Sequence, residues 1–300
     1  MDVTYSPEQA VEKRALASPS RPWRRIFSYI RYVPLAIAGM FFAFPMFWTI
    51  SSSLQTWQEL RSIEPHLFPE VPQWQNYVQL FTVVPYARWL LNSFILCAIT
   101  VPGVLITATM AAYAFARFDF WGKNVWFVLM LGTMMIPGVV LFIPQYLLFF
   151  KLGWIDTYIP LTIGSWLGGG AFIIFMLRQF IMTIPRELDE AAIMDGAGPL
   201  RILVTVLVPL MKPALITTGI LTFLGEWNDF FGPFIYLNSF DLFPAAVGLR
   251  VFQSIPIEST DPRDHLLMAG AAVMSFPAII IFLSAQRFFI SGIATTGLKE

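Results

Sequence analysis

Charge is scarce in this 300-residue chain, and so are the residues on which catalytic and metal chemistry depend. Only 13% of its residues are Asp, Glu, Lys or Arg, about half the usual share of a soluble domain. By contrast 57% are hydrophobic, with 29 Phe and 10 Trp, a balance that excludes a water-facing globular surface and places the chain in a bilayer. One cysteine, Cys97, rules out an intrachain disulfide and a cysteine-based metal site. The two histidines, His66 and His265, stand in separate loops with no paired Cys or carboxylate at ligand spacing, so no metal site is expected. There is no nucleophile elbow, no zinc-protease helix and no phosphate-cradling glycine loop. No catalytic residue and no cofactor are therefore assigned to this chain, and any ATP used with it is hydrolysed by another subunit.

Long uncharged runs are what the chain has instead. They extend from Tyr32 to Gln58, Trp89 to Ala116, Asn124 to Phe150, Thr157 to Leu177 and Leu266 to Gln286, each reaching the roughly 20 residues a helix needs to cross hydrocarbon. A sixth run is apolar from Pro213 to Gly225, meets Glu226-Trp227-Asn228-Asp229, and continues apolar from Phe230 to Leu237. It reads as one helix. The expected fold is an all-α polytopic membrane protein with six transmembrane helices.

An even number of spans puts both termini on one side. Of the 19 Lys and Arg residues, 14 fall in the N-terminal tail, the connections after the second and fourth spans, and the C-terminus; the other connections hold Arg61, Arg88, Lys151, Arg250 and Arg263. The positive-inside rule makes both termini cytosolic. Residues 1–30 lack an apolar signal core and read as a basic cytosolic tail; Trp23, Ile26, Phe27 and Ile30 form either an interfacial helix or a topology-fixing flank. The membrane domain spans 31–290 and contains a cytosolic loop at about 182–212; 291–300 is a second cytosolic tail. The loop from Gln55 to Arg88, rich in Trp and Pro, reads as a folded extracytoplasmic cap that, with residues 238–264, receives another protein.

The loop at 182–212 is too long and too regular for a connector. Pro185 suits the first turn of a helix, and Glu187, Asp189 and Glu190 place negative charge at its positive end. Ala191 and Ala192 permit close approach of another surface, Gly196 supplies a helix stop, and Pro199 opens a second short helix carrying Leu200, Ile202, Leu203 and Val206. The spacing predicts a helix-turn-helix lying across the membrane surface.

Glu190-Ala191-Ala192, three residues, Gly196, nine residues, then Val206-Leu207-Val208-Pro209 resembles the signature of permease subunits of type I ATP-binding-cassette importers, with Val at two places where Ile and Leu are usual. Asp195-Gly196-Ala197 and Pro213-Ala214 match the form found in carbohydrate permeases, and Trp227-Asn228-Asp229-Phe230 with Pro233 is similar to the second permease of maltose-type systems. The likeness continues through Asn92-Ser93, Ala112 to Phe118 and Gln286 to Phe289, whereas the C-terminal Gly297-Leu298-Lys299-Glu300 departs from the glycine-rich tail of relatives. The resemblance implies a prokaryotic plasma-membrane complex: a second permease, two ATPase subunits carrying ATP and Mg, and an extracytoplasmic solute-binding protein delivering a sugar. Lipid surrounds it, and no nucleic acid is involved. Glu190, Ala191, Ala192, Met194, Asp195, Gly196 and Ala197 would form the coupling helix seated on an ATPase.

The other cluster lies in the fifth span. With Lys212 at the interface, Glu226 sits about 21 Å along a helix, inside hydrocarbon. Charges there face a neighbouring helix or the aqueous pathway. Glu226, Trp227, Asn228 and Asp229 suit sugar contact, with hydroxyls on polar groups and a sugar face on the indole, but they equally suit pairing with the second permease, capping of a helix break near Gly225 and Gly232-Pro233, or an outer gate. Gln145, next to Pro144, is a further pathway candidate beside a plain proline kink. Gly164 and Gly168 at i, i+4, with Gly169 and Gly170, permit close helix contact in the fourth span. A self-contained proton-coupled carrier using Glu226 and Asp229 is the alternative; a docking loop and no detectable inverted repeat count against it.

Overall fold

The structure is a computed structural model that describes residues 32–64, 66–253 and 262–296, with side chains omitted at 285 and 287–296. The basic tail at 1–30, with its interfacial-helix candidate, and the final residues 297–300 lie outside the described residues. Every regular element described is helical. Four helical stretches among the described residues are long and apolar enough to cross a membrane, one of them the interrupted Ile159–Thr183, and the number rises to six if each of two bent helix pairs counts as one crossing.

In chain order these are α1 (Tyr32–Ser53), α2 (Trp57–Leu60), α3 (Gln75–Val83), α4 (Tyr86–Arg117), α5 (Lys123–Thr133), α6 (Gly138–Lys151), α7 (Ile159–Trp166), α8 (Ala171–Thr183), α9 (Glu187–Met194), α10 (Pro199–Leu210), α11 (Lys212–Trp227), α12 (Phe231–Tyr236), α13 (Ala245–Phe252) and α14 (Asp264–Thr296). The helix expected to end near Gln286 therefore continues through the segment read as a tail, as far as Thr296.

Helix α4 is the axis of the domain, 32 residues long or about 48 Å at 1.5 Å per residue. Between apolar helices in lipid, association rests on close van der Waals packing rather than on the hydrophobic effect, which favours small residues at contacts. Ala108, Ala112 and Ala116, four apart and at most 5% exposed, form such a stripe against Ile174, Leu177 and Ile181 of α8. At the other end Gly248 of α13 lets Trp89 approach so closely that a Cβ would lie 2.3 Å from the indole. Helix α1 lies against α14 and leaves Leu35, Met40, Phe41 and Phe42 exposed, an outer surface suited to hydrocarbon.

Three crossings that the sequence suggests are continuous are broken. The third bends by 97° between α5 and α6, where Pro137 is extended at the start of α6 and disfavours helical backbone at Ile136. The fourth breaks at Leu167–Gly170, where Gly168, Gly169 and Gly170 all have positive φ and Gly169 sits against Val104. The fifth, read as one helix, stops at Trp227 and restarts at Phe231, with Gly232 and Pro233 in the first turn of α12. An 83° bend at Met211 separates α10 from α11, as expected for a helix lying along the surface.

The segment from Gln55 to Arg88 packs with residues 237–252 to form a cap, around Leu80, Val84, Phe243, Val247 and Phe252. Thr56 and Glu59 form a reciprocal capping box on α2. Burial raises the Glu59 carboxyl, but hydrogen bonds from the Thr56 and Glu70 N–H groups and the Thr56 hydroxyl outweigh it and hold the group below its ordinary value. Arg61 pairs with Asp264, the first residue of α14, at 2.8 Å, and Arg88 with Asp241, just before α13, at 3.2 Å. Asp156, a non-glycine residue at φ 63°, accepts from the N–H groups of Asn238 and Ser239 and from the Ser239 hydroxyl, stapling the α6–α7 turn to the same cap.

Candidate coupling and translocation sites

Helix α9 begins at Glu187, two residues after Pro185, which stands outside it rather than in its first turn. Its end is a closed turn: Gly196 N–H donates to Ile193 O and Ala197 N–H to Ala192 O, both at 2.9 Å, with Gly196 at φ 79°. This is the Schellman arrangement, which needs a left-handed residue. Ala192 and Ala197 rest against the α4–α8 core, while Glu190, Ala191, Asp195 and Gly196 are exposed. So are Ile193 at 58% and Met194 at 87%. A short helix is thus presented outward with its apolar side chains uncovered. In α10, Ile202 and Leu203 are buried, whereas Leu200 is 66% exposed.

Asp189 is the buried residue of α9. Its Oδ2 lies 2.6 Å from Nε of Arg117, the last residue of α4, with side-chain exposures of 13% and 7%. Arg117 Nη2 also donates to Ile184 O at 2.8 Å, and Arg186 Nη2 to Ala116 O at 3.4 Å. Arg178 Nε donates to Phe115 O at 3.2 Å, with its guanidinium 4.3 Å above the Phe127 ring. Three arginines thus gather around the C-terminal carbonyl end of α4, where a helix favours positive charge. A cleft of about 350 Å³ lies between this foot and α9, lined by Tyr113, Arg117, Phe118, Asp189 and Ile193 among others. Sequence reasoning assigned Asp189 to the helix dipole alone and overlooked Arg117; the signal was an arginine closing a 28-residue uncharged run.

The interior cluster separates into different roles. Trp227 is 1% exposed, donates to Met274 O at 2.9 Å, and packs on Phe94 and Phe223 with ring centroids 4.7 and 5.4 Å away. Its indole is occupied and offers no face to a sugar. Asn228 is exposed and turns back to Leu224 O. Because the helix ends at Trp227, Asp229 is not one turn above Glu226 on a shared face; its Oδ1 accepts from the N–H groups of Phe231 and Gly232 and holds the start of α12. Glu226 is half-buried. Gln145 is exposed and accepts from the Tyr236 hydroxyl at 3.4 Å. Tyr236 lies among Tyr146 and Phe149 of α6, which joins the Gln145 position to α12. Among the described residues no group of three or more potential metal ligands occurs.

The family model for the inner membrane component of binding-protein-dependent transport systems matches residues 103–295, from mid-α4 to the end of α14. The chain belongs to that family. It is 34% identical over 264 residues to the arabinooligosaccharide transport system permease protein AraQ of Bacillus subtilis, covering 87% of this chain and 92% of AraQ. It is 30% identical over 280 residues to the sn-glycerol-3-phosphate transport system permease protein UgpE of Brucella abortus, covering 91% and 98%. A crystal structure of a bacterial ABC transporter involved in import of the acidic polysaccharide alginate superposes with a TM-score of 0.78 at 25% identity, over 91% of this chain and 99% of that one. The fold is that of an importer permease, and a self-contained secondary carrier finds no support in these relatives. As a permease component of this family, the chain is a multi-pass membrane protein.

Proposed function

We propose that this permease forms one half of the pathway of an ATP-driven carbohydrate importer, taking a sugar, oligosaccharide or polyol from an extracytoplasmic solute-binding protein. Its partners are a second permease and two ATPase subunits that hold ATP and Mg; the chain itself binds no cofactor and is not an enzyme. Both termini and α9 lie in the cytosol, in accord with the Lys and Arg distribution. The observation that carries the reading is α9 itself. It is a helix locked by its glycine turn, with Ile193 and Met194 uncovered, a surface whose burial needs a partner.

Closure of the ATPases on ATP would carry the coupling helices of both permeases together and rock the pair toward the outward-open state, and hydrolysis would reset it. Glu190, Ala191, Ala192, Met194, Asp195, Gly196 and Ala197 act there through shape and polar contact. Inside, Gln145, Glu226 and Asn228 are the groups available to the pathway or its gate, because exposed polar groups at membrane depth avoid lipid. Asp229 supports the break that places them, and Trp227 supports the packing behind them.

The test is purification of the four-subunit complex with Met194→Glu, a change at a position 87% exposed and so harmless to the chain's own fold. Loss of the ATPases from a permease pair that still assembles is the expected result. Solute uptake by this chain alone, driven by a proton gradient in liposomes, would sink the proposal.

A further inference from the structure

We infer that the Arg117–Asp189 pair is the joint through which the coupling helix drives α4 as a rod, delivering motion from the ATPase side to the cap at the opposite end; this rests on the docking role given to α9. The attachment of α9 to the membrane helices is otherwise thin. Of its eight residues Asp189 is the buried one, supported by the light packing of Ala192 and Ala197. Neither Asp189 Oδ1 nor Arg117 Nε has a hydrogen-bond partner among the described residues, so what holds the two together is the attraction of opposite charges 2.6 Å apart.

Two buried ions resist separation, because parting them strands each in a poorly solvating interior. Arg117 also holds Ile184 O, so one guanidinium clamps α9 and the linker before it to the foot of α4. The far end of α4 is fastened as firmly. Trp89 Nε1 donates to Phe240 O at 3.1 Å, Asn92 Nδ2 to Asp241 O at 2.8 Å and Phe243 O at 3.0 Å, and Ser93 Oγ accepts from Ala245 N–H at 2.9 Å. These partners belong to the cap segment that Asp156 and Arg88 also hold. A helix bonded at both ends transmits displacement where a helix packed only at its middle would pivot. Arg117 and Asp189 are therefore positioning residues for transport.

The experiment uses the full complex with its binding protein, in a background in which Cys97 is replaced, with spin labels at Glu187→Cys on α9 and Trp121→Cys just beyond the foot of α4, both exposed positions. The joint predicts the same distance distribution in the nucleotide-free and ATP-bound complexes. It also predicts that Asp189→Asn broadens that distribution and lowers solute moved per ATP hydrolysed by roughly 2- to 30-fold, the range for changes along a coupling route. Arg117→Asp combined with Asp189→Arg should recover part of the loss. A distance that changes between the two states of the unmutated joint overturns the inference on its own, without reliance on a variant that folds poorly. So does an Asp189→Asn complex with unchanged distance and coupling. ATPases that fail to bind the parent chain overturn the docking role as well, which separates the two failures.

Discussion

Gly196 offers the sharpest test of how the coupling helix is held. A Cβ built at this residue meets nothing within 4 Å, so substitution brings no clash, while φ of 79° lies in the left-handed region. The penalty is therefore conformational alone: about 1–2 kcal/mol for an ordinary L-residue, less for asparagine, and more for a β-branched side chain. Relief of that strain opens the turn made by Gly196 N–H to Ile193 O and Ala197 N–H to Ala192 O, and reorients α9. A shift of that size lowers the population of the docking-competent turn by roughly 5- to 30-fold. The assay is ATPase activity of the reconstituted complex titrated with ATPase subunit, read as apparent affinity. The expected order is Gly, Asn, Ala, Val from tightest to weakest. Gly39→Ala in α1, also with open space around its Cβ but helical, should leave affinity unchanged. Equal affinity for Gly196 and Gly196→Ala, or a ranking by side-chain volume that puts Asn below Ala, refutes the argument.

Gly248→Ala should destabilise the chain by about 1–3 kcal/mol through overpacking, since its Cβ would press on the buried indole of Trp89 at 2.3 Å; a lower melting temperature in detergent checks this, and Trp89→Phe in the same chain should restore part of it. Asp229→Ala should cost about 0.5–2 kcal/mol, the range for lost helix caps, while Asp229→Asn keeps an acceptor for the Phe231 and Gly232 N–H groups; equal losses in both would show that the charge, not the cap, matters. The Ser239 hydroxyl first, with the Ser239 and Asn238 N–H groups, holds the Asp156 carboxyl below its ordinary 3.8. A lowered carboxylate stabilises above that value, and its contribution disappears as pH falls through the lowered one. Amide exchange at Asn238 and Ser239, corrected for its intrinsic pH dependence, should therefore accelerate on acidification below pH 3.8, with an earlier onset in Ser239→Ala. An onset unmoved by that substitution counts against the staple.

Membrane crossing, helix class and the docking loop are written locally. A run of 28 uncharged residues from Trp89 to Ala116 forms a spanning helix because backbone groups in lipid have few other ways to be satisfied. Glycine at 196 and proline at 199 set the ends of the loop helices through their own φ preferences. Those signals hold whatever the chain packs against. Breaks inside spans are less legible where apolar composition carries across them, as at the 97° bend beside Pro137; the break before Phe231 did carry a local mark, the polar run from Glu226 to Asp229.

Pairing was decided by the tertiary structure. Trp227, Asn228 and Asp229 are adjacent in sequence, yet one fills the interior, one turns back to its own helix and one holds the start of the next. Asp189 and Glu190 differ by one residue on a helix, which turns them about 100° apart and sends one into a buried pair with Arg117, 72 positions earlier, and leaves the other in the open. Sequence fixes which groups are costly to bury, because that is a property of each side chain. Which partner compensates the burial depends on where distant helices meet, and only the folded chain brings them together.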